Sequence, residues 1–245
     1  MPDVSRVRGR SRHDLNAIAR RAMAELGLEP EYPAAALADL DAIRGAATGD
    51  PSILDLRDRV WCSIDNDDSR DLDQVEWAER VAGGIRVLVG VADVDCAVPK
   101  GTPIDKHAAQ DTTTVYAGVR IFPMLPEKLS TDLTSLNENA DRLAIVVEIA
   151  VGRDGAVGES RVFRALVRNH AKLAYNGVAA WLEGASPAPA KVAATPGLDD
   201  QLRTQDRVAQ QLREVRHERG ALSLEAIEAR AVFTDGEIED LRAEQ

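Results

Sequence analysis

Asp65, Asp67, Asp68, Asp71 and Asp73 place five carboxylates within nine consecutive positions, directly after the apolar-rich run at 60–64. Like charges a few ångströms apart raise each other's pKa or drive the segment into water. Such a run is tolerated either as a fully solvated loop or around a bound cation. The spacing points toward the cation. Asp71 and Asp73 stand two apart, so on extended backbone both carboxylates share a face, and Asp65 closes a strand-like run. Carboxylate oxygens in this pattern suit Mg²⁺ or Mn²⁺, hard ions that keep several waters for a substrate phosphate to replace. A calcium loop is the rival, because Asp65, Asp67, Ser69 and Glu76 fall at positions 1, 3, 5 and 12 of an EF-hand pattern. Against it, the sixth position, where glycine makes the sharp turn, is Arg70, and the flanks read as strands.

The elements that must position these groups sit in a chain of 245 residues with 44% hydrophobic content, enough for one large domain or one domain and a smaller one. A net charge of −11 argues against a surface that coats nucleic acid, and leaves a local nucleic-acid site open. Cys62 and Cys96 are too few for a disulfide framework or a zinc site, which fits a reducing cytoplasm. With no apolar run near ~18 residues and no apolar stretch after the N-terminal charges, neither a membrane span nor a signal peptide is expected.

Residues 1–50 read as a basic tail and a helical, helix-turn-helix-like module, and residues 51–245 as the main domain. Arg6, Arg8, Arg10 and Arg12 form either a solvated tail or a phosphate-contacting arm. Leu15, Ile18, Ala19, Ala22, Met23 and Leu26 recur at helical spacing until Gly27, and a second helix follows Pro33 over 34–43. That helix carries no basic residue, which argues against DNA readout.

Strands are expected over 72–81 and 85–94 about a Gly83-Gly84 turn, and over 141–151 and 156–167 about Arg153-Asp154-Gly155. Asp93 either faces the acidic pocket or serves a turn. Helices are expected over 102–114, with Thr102 as N-cap and Pro103 at the first position, over 173–182, and over 198–219. Residues 115–126 and 184–196 read as loops, and 222–224 with 229–233 as a terminal hairpin. The fold class is α+β.

Several motifs in order carry a resemblance. Ser63-Ile64-Asp65 through Asp71-Leu72-Asp73 and Val91-Ala92-Asp93-Val94 are followed by Val115-Tyr116, Pro123-Met124-Leu125-Pro126, Leu129-Ser130 and Leu133. Ser135-Leu136-Asn137, Asp141-Arg142-Leu143-Ala144 and Gly220-Ala221-Leu222-Ser223 complete the set. Over about residues 55–235 the chain resembles the RNase II/RNase R (RNB) family of exoribonucleases.

The resemblance implies a helical module followed by a mixed α/β RNB catalytic domain, incomplete at its C-terminus. It implies metal-dependent 3′-to-5′ hydrolysis of single-stranded RNA to nucleoside 5′-monophosphates by a two-metal mechanism, in a monomeric cytoplasmic protein. The family's metal-binding aspartates fall on Asp65, Asp71 and Asp73, and its fourth falls on Gln74, a neutral and weaker ligand. Its active-site tyrosine falls on Tyr116, against the 3′-terminal nucleotide. Its base-stacking aromatic falls on Leu224, which lacks an aromatic face. Gly90 stands where the family often has histidine. Arg120 and Arg142 are candidates for phosphate contact or for structural ion pairs. The family's later catalytic arginine and its S1 RNA-binding domain have no counterpart before Gln245, so the chain is expected to be a fragment. The alternative is a non-catalytic RNA-binding protein that keeps an RNB scaffold.

Overall fold

A computed structural model describes residues 12–47, 49, 51–117, 120–222, 228–234 and 237–244. The arginines at 6, 8 and 10, and Leu224, lie outside them. The chain divides into two compact units, one holding residues 43–99 and 127–222, the other 1–42, 100–126 and 223–245.

The larger unit is built on a sheet of β1 (Leu54–Asp55), β2 (Trp61–Asp65), β3 (Gln74–Val81), β4 (Gly84–Ala92), β7 (Asp141–Gly152) and β8 (Val157–Ala174). The order is β1-β8-β2-β3-β4-β7, and β8 also pairs with β7. The 18 residues of β8 make this closure. Arg168 and the residues before it pair antiparallel with β7, while Asn169–Ala174 run parallel to β2. Strands β8, β2, β3, β4 and β7 thus form a closed barrel, which leaves no edge between them.

Period-two alternation fills it. Trp61, Val75, Trp77, Leu88, Ala144, Val146, Ala165 and Val167 form one buried cluster inside. Trp61 is fully buried, and its indole N–H donates to the Leu56 carbonyl at 2.8 Å. Gly90 belongs to the same wall. A Cβ there would stand 3.1 Å from Val75 Cγ2, 3.5 Å from Ala144 Cβ and 3.7 Å from Trp61 Cζ3.

A register shift between Trp61 and Cys62, whose partners are Asn169 and Ala171, leaves His170 as the extra residue of a β-bulge. The bulge reverses which side chains of β8 face in. Ala171 and Leu173 thereby join Cys62, Val178, Trp181, Val192, Leu198 and Leu202 in an outer layer. The helices α4 (Tyr175–Leu182), α5 (Ala190–Ala194) and α6 (Leu198–Glu218) form that layer. Further along, Val208 of α6 packs on Ala78, Ile85 and Val151.

In the other unit, α1 (Arg12–Glu25) and α2 (Ala34–Ala42) precede α3 (Pro103–Asp111), and α2 packs on α3. Thr102 caps α3 by accepting the Asp105 N–H at 3.4 Å, with Pro103 inside the first turn, as the sequence predicts. His107 of α3 is buried beside Glu29, with its Nδ1 3.1 Å from Glu29 Oε2.

Four expectations are corrected. Residues 115–126 hold a small hairpin of β5 (Val115–Tyr116) and β6 (Ile121–Phe122), formed by two residue pairs too few to show a period. Residues 173–174 belong to β8, because pairing with β2 extends the strand past the point where helical spacing begins. The 184–196 loop contains α5, closed over the core by the buried Val192. The terminal hairpin is β9 (Glu228–Thr234) with β10 (Glu237–Glu244). No helix of the described residues is long and apolar enough to cross a membrane.

Candidate active site at one end of the barrel

β2 ends at Asp65 where its antiparallel neighbour β3 begins at Gln74, so the loop between them lies at one end of the barrel. Asp65, Asp71 and Asp73 are all at this end. Burial, then the charge of Asp71, then that of Asp65 push the Asp73 carboxyl above its ordinary value. Asp71 and Asp65 thus stand close enough to act on Asp73 by like-charge repulsion.

The loop is held by specific bonds. The Asn66 N–H and the Ser69 hydroxyl both donate to Asp65 Oδ1, at 2.7 and 3.0 Å. Ser135, buried, accepts the Leu72 N–H at 2.9 Å, and its hydroxyl lies 3.3 Å from the Arg70 carbonyl and 3.2 Å from Asn137 Oδ1. The Leu136 N–H donates to the Leu72 carbonyl at 2.9 Å. From β8, Lys172 Nζ donates to the Ser69 carbonyl and, at 3.3 Å, to that of Asp67.

Two groups not singled out by the sequence reading adjoin the acidic set. Glu76, two residues beyond Gln74 and so on the same outer strand face, pairs across the ladder with Cys62. Burial and then Asp65 push its carboxyl up to about 7, and its Oε2 is buried with no hydrogen-bond partner. Tyr175, at the start of α4 and half-exposed, has its phenol pushed up by burial, then by Asp65 and Glu76. No sequence signal marks Tyr175, because only the pairing of β8 with β2 carries the strand to Ala174; Glu76 stands in the sequence as the twelfth position of the calcium-loop pattern.

Asp93 and Arg142 adjoin the same barrel end, since the Ala92 N–H donates to the Asp73 carbonyl at 2.9 Å and the Asp93 N–H to the Leu143 carbonyl at 3.1 Å. Asp93 is buried against Arg164 in an ion pair that also reaches Asp95, which gives it the structural role. Arg142 is mostly buried, donating to the Asp132 carbonyl at 3.0 Å and the Asp141 carbonyl at 3.0 Å. In the smaller unit, Tyr116 is 68% exposed, and Arg120 lies over the Phe122 ring and 3.6 Å from Glu31.

The donor chemistry fits a divalent cation: hard carboxylate oxygens, a raised Asp73 and an unpartnered Glu76 oxygen at one end of the barrel. Among the described residues no three His, Cys, Asp or Glu side chains converge on one point. The fit is thus one of donor type and charge rather than of closed coordination geometry, and repulsion between carboxylates opposes convergence.

The chain is similar to known proteins in sequence and in fold. Ribonuclease R of Escherichia coli is 36% identical over 181 residues, which span 74% of this chain and 22% of that relative. The structure of Mycoplasma genitalium RNase R in complex with double-stranded RNA superposes with a TM-score of 0.83 at 22% identity, over 95% of this chain and 41% of that one. Yeast Ssd1, a pseudonuclease, shares the fold at a TM-score of 0.54 and 15% identity, over 68% of this chain and 20% of that one. The RNB domain matches residues 53–245, a span that holds every element of the barrel and the acidic loop at its end; the chain belongs to the RNB-domain family.

Proposed function

We propose that this chain carries the acidic centre of a metal-dependent 3′-to-5′ exoribonuclease that releases nucleoside 5′-monophosphates from single-stranded RNA. The observation that carries the reading is the placing of Asp71 and Asp65 where they raise the Asp73 carboxyl at one barrel end, in a chain of this family. Asp65, Asp71 and Asp73 would hold Mg²⁺ or Mn²⁺ with charged oxygens, and Gln74 would add a neutral amide oxygen. A bound pair of such ions supplies a hydroxide near neutral pH and stabilises the attacking and leaving oxygens of an in-line displacement.

The loop bonds orient the carboxylates before substrate arrives, so little reorganisation is left for the reaction. Contact of Tyr116 with the 3′-terminal nucleotide and of Leu224 with a base follow from the family resemblance. Arg120 and Arg142 are assigned to phosphates, and Arg142 must first release Asp132. The setting is the cytoplasm and the chain a monomer.

The test is hydrolysis of a 5′-labelled single-stranded RNA with Mg²⁺ or Mn²⁺, wild type against Asp73→Asn. Stepwise shortening from the 3′ end, absent in Asp73→Asn and on matched DNA, is expected. The neutral Gln74 favours a second reading, an RNA-binding scaffold without turnover. RNA retained equally by both forms with neither cutting would establish that instead.

A further inference from the structure

We propose that Ser135 and Lys172 are positioning residues that set the acidic loop for cation binding, an inference that rests on the metal-site reading above. Each acts on a different carboxylate. Ser135 holds the backbone on both sides of Asp71: its oxygen takes the Leu72 N–H at 2.9 Å, and its hydroxyl lies 3.3 Å from the Arg70 carbonyl. Between those two anchors the Asp71 side chain has one backbone from which to point. Ser135 is 2% exposed, so water cannot replace its hydroxyl.

Lys172 works through Ser69. Its ammonium binds the Ser69 and Asp67 carbonyls, and the Ser69 hydroxyl then donates to Asp65 Oδ1 at 3.0 Å. The β8 bulge makes this reach available. It pairs Lys172 with Ser63 and turns the lysine to the face opposite Ala171 and Leu173, which pack outward. A loop with this density of negative charge spreads apart by its own repulsion, and the two clamps oppose that spreading.

The measurement is Mn²⁺ binding to the whole chain by titration calorimetry, with thermal melting of each variant alongside. Ser135→Ala is expected to weaken Mn²⁺ by about 10-fold or more, as loss of groups that orient metal ligands does, and Ser135→Thr, which keeps the hydroxyl, to recover most of it. Lys172→Met separates positioning from charge. By Coulomb's law alone, removing a cation beside the site tightens Mn²⁺ binding, whereas loss of the clamp weakens it.

Weakening in Lys172→Met at unchanged melting temperature supports the inference. Unchanged or tighter binding in Lys172→Met, or wild-type affinity in Ser135→Ala, overturns it. Should Ser135→Ala fail to fold, Lys172→Met decides by the same criterion. Asp73→Asn separates the two levels: if wild type binds no Mn²⁺, or Asp73→Asn binds it as tightly, the metal-site reading itself fails and the inference falls with it.

Discussion

Gln74 is where a single side chain bears most directly on the chemistry. It begins β3 beside Asp73, whose carboxyl burial and the charges of Asp71 and Asp65 already raise. Gln74→Asp adds a fourth negative oxygen pair at this end. The expected outcome is Mn²⁺ affinity raised several-fold, since a charge-assisted ligand is stronger than a neutral one. The same variant should melt at a lower temperature without metal, because it adds repulsion. Calorimetric titration and melting with and without Mn²⁺ check both signs, and equal affinity in the two forms would remove Gln74 from the ligand set. Gly90 is the second position where one residue decides. Its inward face meets Val75, Ala144 and the fully buried Trp61, so Gly90→His forces a large polar ring into a filled interior. Overpacking of this kind costs about 1–3 kcal/mol or more. Urea unfolding should show that loss, and a Trp61→Leu background should return part of it, because the two sites share one space.

At the scale of elements, β1, β7 and β8 are tied by a charged cluster. Arg57 bonds Asp55 at 2.6 Å and Asp141 at 2.9 Å, and Arg168 bonds Asp141 at 2.6 Å. The Arg57 guanidinium holds the Asp55 carboxyl down at about 2, and Arg168, opposed by burial and aided by Arg57, lowers that of Asp141. Folded values below the ordinary ones mean that the stabilisation is complete above the ordinary carboxylate range. It is lost as pH falls toward about 2. Asp141→Asn should therefore flatten the fall in urea midpoint between neutral and acid pH, and an unchanged slope would show that other carboxylates govern it. The strands that bear this cluster were legible where alternation is long, as in β3, β4 and β7, and the capped start of α3 was legible from Thr102 and Pro103. The acidic loop was legible from charge spacing as a charged segment between two strands, and its assignment to a metal came from the family resemblance. The bulge at His170 was not, because an inserted residue leaves no mark in composition and shows itself only when β2 and β8, a hundred residues apart, are in register. The clamps of Ser135 and Lys172 were hidden for the same reason: both act on main-chain atoms of a distant segment.

Across the whole chain, the charge of −11 sets how RNA can approach. Nucleic-acid binding is usually driven by counterion release on contact with lysine and arginine, and each such contact steepens the salt dependence. Here several arginines are already engaged by acids: Arg57 and Arg168 with Asp141, Arg164 with Asp93, Arg80 with Asp200, Arg161 with Glu148. The end of the barrel that should receive phosphate carries Asp65, Asp71 and Asp73, and it repels a polyanion. Divalent cations bound there would supply the positive charge that attracts phosphate. RNA retention on filters should then fall with chelation far more than with moderate monovalent salt, and log affinity should change only shallowly with log salt. Asp73→Asn should lose most of the cation-dependent part while keeping any residual binding. A steep salt slope with no response to chelation would mean that arginines and lysines, and not the acidic end, hold the RNA.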